Sequence, residues 1–274
     1  MDKKRIIITG GSDGIGAAAA KKLVALGHEV VIVGRDPEKT RSLAEKLGVT
    51  FHTADYSELK QVVKLSEELK EYGKIDVLAN NAGGVMNRRT VTSDGFEKTF
   101  QVNLLAQFLL VNRLIAQLIE SNATVIQTTS IAANAFSDFA VEDLNSEQNY
   151  KAFTAYGNAK LGDVLFTREL NDRFKGKIYP VAFEPGVVRT NFGAEGNAFV
   201  RFCYHTPLKY LFTISPEKSA DRLVRLALGT PGKDFSCGET YSFERKYAVK
   251  FRDENGDTAK KLWEYCYSAI KDYL

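Results

Sequence analysis

Tyr156 and Lys160 stand four residues apart in the stretch Tyr156-Gly157-Asn158-Ala159-Lys160. On a helix, that spacing puts both side chains on one face. An ammonium beside a phenol favours the phenolate and lowers its pKa. Such a tyrosine can trade a proton with a carbonyl or alcohol oxygen near neutral pH. The same spacing occurs in ordinary surface pairs, so the surrounding chain decides its meaning.

A second chemical feature lies near the start. Thr9 to Gly16 read Thr-Gly-Gly-Ser-Asp-Gly-Ile-Gly, directly after Ile6-Ile7-Ile8 and before Ala17-Ala18-Ala19-Ala20. This order predicts a strand, a tight turn and a helix. The glycines let backbone come close to something a side chain would block, and the N–H groups at the helix start favour an anion, typically a phosphate. Gly10, Gly14 and Gly16 form G-x-x-x-G-x-G, not the usual G-x-G-x-x-G fingerprint, and no Gly-Lys-Ser/Thr follows as in a Walker loop. Gly10 to Gly14 also match G-x-S-x-G, the nucleophile elbow of hydrolases, with Ser12 in the nucleophile's place. Only nine residues precede Gly10, too few for the strands and oxyanion loop that such an elbow needs. A glycine turn used only for packing is the other alternative.

Positioning these groups requires a regular scaffold, and strand-like and helix-like stretches alternate throughout. Strands are predicted at 4–9, 29–33, 49–53, 75–79, 124–129, 178–183 and 241–243. Helices are predicted at 14–26, from Pro37 to about Leu47 behind an Asp36 N-cap, and at 58–72, 153–174, 216–228 and 257–270. Asp94 with Glu97 three later reads as a capping box opening a long helical region to Glu120. Such alternation implies an α/β fold: a doubly wound parallel sheet with helices on both faces, in one domain spanning residues 1–274. The stretches 131–150 and 191–213 are the longest without a repeating pattern, and loops of that length tend to be functional or mobile.

Composition is that of an ordinary globular chain: 274 residues, 44% hydrophobic and 26% charged. A net charge of +3, with basic residues spread along the chain, is too mild to argue for nucleic acid. Cys203, Cys237 and Cys266 lie far apart, which points to free thiols in a reducing compartment. The three histidines form no ligand spacing, so no metal site is expected. The start, Met1-Asp2-Lys3-Lys4-Arg5, leads into an apolar run of three, too short for a signal peptide or a membrane span.

Taken together, the motifs resemble the classical short-chain dehydrogenase/reductase family nearly end to end. They are Thr9–Gly16, Asn80-Asn81-Ala82-Gly83 after the fourth strand, Asn103, Ser130 after the fifth strand, Tyr156 with Lys160, and Pro185-Gly186 after the sixth. Three further stretches are similar to the retinol-dehydrogenase-like branch: Val102 to Leu110, Lys160 to Leu170, and Pro185 to Thr190. So are the loop from Ser130 to Tyr156 and the ending Leu262-Trp263-Glu264. Members of that branch often carry an N-terminal membrane anchor. This chain starts directly at its first strand, so no membrane anchor is expected and the cytoplasm is the expected location.

The resemblance implies roles. Tyr156 is the general acid/base. Lys160 lowers its pKa and binds ribose hydroxyls. Ser130, at a strand's C-terminal end where ligands gather in open α/β sheets, hydrogen-bonds the reacting oxygen. Asn103 holds a water linking Lys160 to solvent. Gly10, Ser12, Asp13, Gly14, Ile15 and Gly16 would cradle the cofactor, with Pro185 and Gly186 at its other end. Asp55 resembles the adenine contact with Tyr56 nearby, Asn81, Ala82 and Gly83 line the adenosine side, and Val188 and Thr190 resemble nicotinamide-carboxamide contacts.

The end of the second strand bears on cofactor choice. An acidic residue there selects NAD, but here Gly34 leaves room and Arg35 follows, and a guanidinium can bind a 2′-phosphate. NADP(H) is therefore expected over NAD(H). Asp13 counts against this unless it points away, because NADP-selective relatives often place a basic residue there. Phe192, Phe199, Phe202, Tyr204, Tyr210 and Phe212 fall within 191–213, the family's substrate-covering segment. They suggest a lipophilic or aromatic carbonyl/alcohol substrate, the alternative being a packed lid or a contact between copies in an oligomer. The expected activity is NADP(H)-dependent carbonyl reduction. The competing class is a catalytically silent NADP(H)-binding regulator or scaffold.

Overall fold

The computed structural model describes residues 2–188, 213–253 and 255–274. Seven strands run parallel: β1 (Arg5–Thr9), β2 (Glu29–Gly34), β3 (Thr50–Thr53), β4 (Val77–Asn80), β5 (Thr124–Thr128), β6 (Tyr179–Glu184) and β7 (Thr240–Ser242). An eighth, β8 (Arg245–Lys246), returns antiparallel along β7. The order across the sheet is β3-β2-β1-β4-β5-β6-β7-β8. It reverses direction between β1 and β4, and the crevice at such a switch point is where open α/β sheets bind ligands.

The central strands β1, β2 and β4 to β6 are largely buried on both faces because helices cover both sides. Ile6, Ile8, Val30 and Ile32 join one cluster, packed with Ala18–Ala20 and Leu23 of α1 (Gly14–Ala25) and with Leu223 and Leu226 of a later helix. Ile7, Val31, Leu78 and Val125 point the other way, into a larger cluster with Val62 and Leu65 of α3 (Leu59–Lys70). Between these helices α2 (Pro37–Leu47) starts as predicted, with the Asp36 side chain accepting from Lys39 N.

The capping box read at Asp94 is not the helix start. Glu97 itself is the N-cap, accepting from Phe100 N at 2.8 Å. Asp94 Oδ2 instead accepts from Leu59 N and from Gln101 Nε2, tying α3 to this segment. The long helix is also segmented: a turn at Lys98–Phe100, a π-helical turn at Gln101–Leu105, then α4 (Ala106–Arg113) and α5 (Ile115–Glu120). After β5 come α6 (Ala132–Ala135) and α7 (Ala152–Arg173). The chain closes with α8 (Pro216–Leu228), whose Leu223 and Leu226 were met above, and α9 (Thr258–Ile270), where Trp263 packs on Phe108, Phe166 and Phe174. Among the described residues, no helix is long and apolar enough to cross a membrane.

Candidate active site

The site is built where β1, β4, β5 and β6 end. Gly10 follows β1 at φ 64°, a left-handed conformation that suits glycine. A side chain there would also meet Ala82 Cα at 2.9 Å, so the turn and the exit of β4 touch backbone to backbone. Thr9 locks this contact. Its fully buried hydroxyl accepts from Asn81 N at 3.0 Å and from Ala82 N at 3.1 Å. Asn81 Nδ2 donates to the Thr9 and Gly10 carbonyls, so its side chain ties strands together, the simpler of the two roles its type allows. Gly14, Ile15 and Gly16 form the first turn of α1, whose N–H groups face outward along the helix axis.

Asp13 caps that helix, accepting from Gly14 N at 2.7 Å, and its other oxygen pairs with Lys39 Nζ. The charge that counted against NADP(H) thus has a cation beside it, one the sequence reading overlooked. At the end of β2, Gly34 is buried under Ser12 and Thr40: a Cβ there would overlap Thr40 Oγ1 and lie 2.7 Å from Ser12 Oγ. Arg35 stands exposed next to it. Asp55 accepts from Ser57 N and Oγ at the end of β3. The Tyr56 ring sits within the larger core cluster, where burial pushes its phenol well above the ordinary range. Any nucleotide contact at Tyr56 therefore falls to its backbone.

Tyr156 and Lys160 both lie buried on α7, and Lys160 Nζ is 5.8 Å from the Tyr156 ring centre. Two hydrogen bonds join this helix to the end of β5. Lys160 Nζ donates to the Thr128 carbonyl at 2.9 Å, and Thr129 Oγ1 donates to the Lys160 carbonyl at 2.6 Å. Ser130 follows at once, its hydroxyl accepting from Ala132 N at 3.2 Å. Gly83 locates the remaining member: a Cβ there would lie 2.6 Å from Asn103 Oδ1 and 3.4 Å from Lys160 Nζ.

Asn103 occupies the middle of the π-helical turn, fully buried. Its Nδ2 donates to the Gly84 and Thr99 carbonyls, and its Oδ1 accepts from Gly84 N. The amide is committed to holding the Gly83-Gly84 loop, so any relay through a water at Asn103 would run through its main chain. π-turns of this kind often mark functional positions, but no sequence pattern announced this one.

At the end of β6, Pro185 accepts from Ser219 Oγ, Gly186 N donates to Glu184 Oε1, and buried Val188 bridges to Ile214. Thr190 and all of 191–213 except Thr213 lie outside the described residues. A cleft of about 710 Å³ opens at the first turn of α7, lined by Phe136, Phe153, Arg88 and Lys151 among others. Phe136 and Phe153 pack with their rings tilted by 44° and 5.3 Å between ring centres.

Comparison with known proteins agrees with this geometry. The family described as short chain dehydrogenase matches residues 4–200. A Streptomyces sp. (strain C5) protein provisionally named daunorubicin C-13 ketoreductase DnrU is 36% identical, over 98% of this chain and 93% of its own. Mouse retinol dehydrogenase 14 is 32% identical, over 96% of this chain and 85% of its own. Among solved structures, the Pseudomonas aeruginosa RhlG/NADP active-site complex superposes with a TM-score of 0.69 at 25% identity, covering 88% of this chain and 94% of that one. The chain therefore belongs to the short chain dehydrogenase family, in its retinol-dehydrogenase-like branch, a family of oxidoreductases that work between carbonyls and alcohols.

Proposed function

We propose that this protein is an NADP(H)-dependent carbonyl reductase acting on lipophilic aldehydes or ketones, with Asn103, Ser130, Tyr156 and Lys160 as its working residues. The observation that carries the reading is the Tyr156–Lys160 pair, buried on one face of α7 and tied to the strand end that delivers Ser130. The residues present fit a dinucleotide. The glycine turn, the first turn of α1 and the backbone from Asn81 to Gly83 form a cradle at the switch point, and at Gly83 a Cβ would lie against Asn103 and Lys160. The reduced cofactor would supply the hydride.

The protein's own part is orientation and proton transfer. The Ser130 and Tyr156 hydroxyls would hold the substrate oxygen, and Tyr156 would give it a proton as negative charge develops there. The Lys160 ammonium would favour the resulting phenolate. Gly34 and Arg35 support NADP(H): no carboxylate stands at the end of β2, and a guanidinium follows. The RhlG complex with NADP agrees. The paired Phe136 and Phe153 rings lining the cleft at the first turn of α7 support a lipophilic substrate, as do the names of the retinol dehydrogenase and ketoreductase relatives. Absence of a membrane-crossing helix among the described residues is compatible with a cytoplasmic enzyme.

A panel of carbonyl compounds, assayed in parallel with NADPH and NADH, tests the proposal. Reduction with NADPH preferred, and a loss of about 10²–10⁴-fold in Tyr156→Phe with NADPH binding retained, is the expected result. NADPH binding without turnover across the panel would favour the silent regulator instead.

A further inference from the structure

The buried face of α7 carries one ionisable group that the chemistry above does not use. Asp163 is fully buried, and its Oδ2 accepts from Lys160 Nζ at 2.9 Å. Among the described residues, its Oδ1 has no hydrogen-bond partner. Tyr156, Lys160 and Asp163 thus stand in line along α7, the tyrosine and the aspartate about 10 Å apart along the axis. The ammonium lies between a phenol whose anion it would favour and a carboxylate that competes for it.

The surroundings leave this competition to Lys160. Next to α7, β5, α6 and the π-helical turn carry no ionisable side chain. On this side of the sheet, β4 and β5 present the neutral Asn80 and Gln127, register partners in neighbouring strands. β6 contributes Tyr179 and Glu184, and Glu184 is engaged with Gly186 and Ser242. Lys98 stands at the turn before the π-helix, and α9 turns Tyr265 and Cys266 inward. Among the described residues, the charge that acts on Asp163 is that of Lys160.

We propose that Asp163 is a positioning residue for the reaction, controlling how much of the Lys160 charge reaches Tyr156. Ionised, it holds the ammonium toward the sheet beside the Thr128 carbonyl and offsets its field. Neutral, it leaves that field on the phenol undiminished. A carboxylate with one donor and one bare oxygen is poorly compensated for its burial. Burial accordingly raises the Asp163 carboxyl to about 6 against the opposing pull of Lys160, so the group changes charge within a working pH range. The proposal rests on the assignment of Tyr156 and Lys160 above.

The test is the pH profile of kcat/KM for carbonyl reduction with NADPH in the wild type and in Asp163→Asn. An asparagine oxygen still accepts from Lys160 Nζ, so the variant removes charge and keeps the bond. Reduction requires the protonated phenol, and removing the anion favours phenolate. The alkaline limb is therefore expected to move down by about one pH unit, with the two profiles converging below pH 6, where the wild-type carboxyl is itself neutral. Asp163→Glu, which restores the charge, should return the limb toward its wild-type position.

A purely structural role would lower the rate and leave the limb in place. An unmoved or upward-moved limb overturns the proposal. Should Asp163→Asn fail to fold, carbon-13 labelling of aspartate carboxyls in the wild type tests the change of charge on which this role depends. One resonance titrating at about pH 6 is expected, and none titrating above about pH 5 overturns it. Full activity in Tyr156→Phe would refute the site assignment itself, whereas an inactive Tyr156→Phe with an unmoved Asp163→Asn limb removes only the role of Asp163.

Discussion

The Lys39 ammonium lies 2.5 Å from the Asp13 carboxylate, so the first turn of α2 places over the glycine turn a cation that the turn itself lacks. Both side chains are about half exposed, which limits the pair's contribution to stability to about 1 kcal/mol or less. Its effect on a cofactor phosphate bound at the glycine turn would be larger, because the alternative would be an uncompensated carboxylate beside the anion. Lys39→Ala is expected to weaken NADPH binding about tenfold, a loss of about 1.4 kcal/mol, and NADH binding less, with the melting temperature nearly unchanged. Fluorescence titrations at low and high salt check this. The deficit should shrink as salt screens the charges, and equal weakening of both cofactors would rule out a role in phosphate recognition.

Gly34 and Arg35 should respond in opposite ways although they are neighbours. Thr40 Oγ1, which a Cβ at position 34 would overlap, is fully buried and donates to the Asp36 carbonyl at 2.6 Å. It cannot swing aside cheaply, so overpacking is expected to cost about 1–3 kcal/mol. Gly34→Asp should therefore melt lower and bind both cofactors poorly, rather than switch the enzyme to NADH. Arg35→Ala touches an exposed side chain and should leave melting unchanged while weakening NADPH far more than NADH. Parallel melts and cofactor titrations separate the two outcomes, and a stable, NADH-preferring Gly34→Asp would contradict the steric argument.

Thr9 is a third target, because one hydroxyl satisfies two backbone amides. Valine has nearly the same shape but accepts nothing, so Thr9→Val strands the Asn81 and Ala82 N–H groups. An unsatisfied buried donor costs about 1–3 kcal/mol, which for a chain of this length lowers the melting temperature by several degrees. Cofactor affinity should fall with it, since the same amides fix the exit of β4 against the glycine turn. Calorimetry with and without NADPH reads both effects, and an unchanged melt would show that this lock is dispensable.

Much of this architecture could be read from local patterns. Asp36-Pro37 opens a helix because a carboxylate can cap it and proline suits its first turn, and the structure starts α2 there. The glycine turn and Tyr156–Lys160 were legible because their chemistry is set by residues at most seven apart. Features made by distant contacts were not. Asp94 has the type and spacing of a cap, yet α3 captures its carboxylate through Leu59 N. Nothing local marks Lys39, whose place beside Asp13 is made by the fold. Tyr56 follows Asp55 in sequence, but the end of β3 turns its ring into the core. Asp163 sits in a plain helical repeat, and only the packing of α7 on β5 reveals that it is buried against Lys160.

That burial has a consequence for stability distinct from its effect on rate. An aspartate in the unfolded chain titrates near pH 3.9, whereas in the fold burial raises the Asp163 carboxyl to about 6. The fold prefers the neutral acid, so this group's contribution is fully present below about pH 4 and is lost as pH rises through about 6. The wild-type melting temperature should carry a downward slope between pH 4 and pH 7 from this source, on top of whatever the surface carboxylates add. Asp163→Asn has no proton to lose there and should lack that component, so the difference between the two proteins must change with pH in this window. Melting curves at half-unit steps measure it. A difference that stays constant from pH 4 to pH 7 would mean that Asp163 is already ionised throughout, with Lys160 compensating its charge completely.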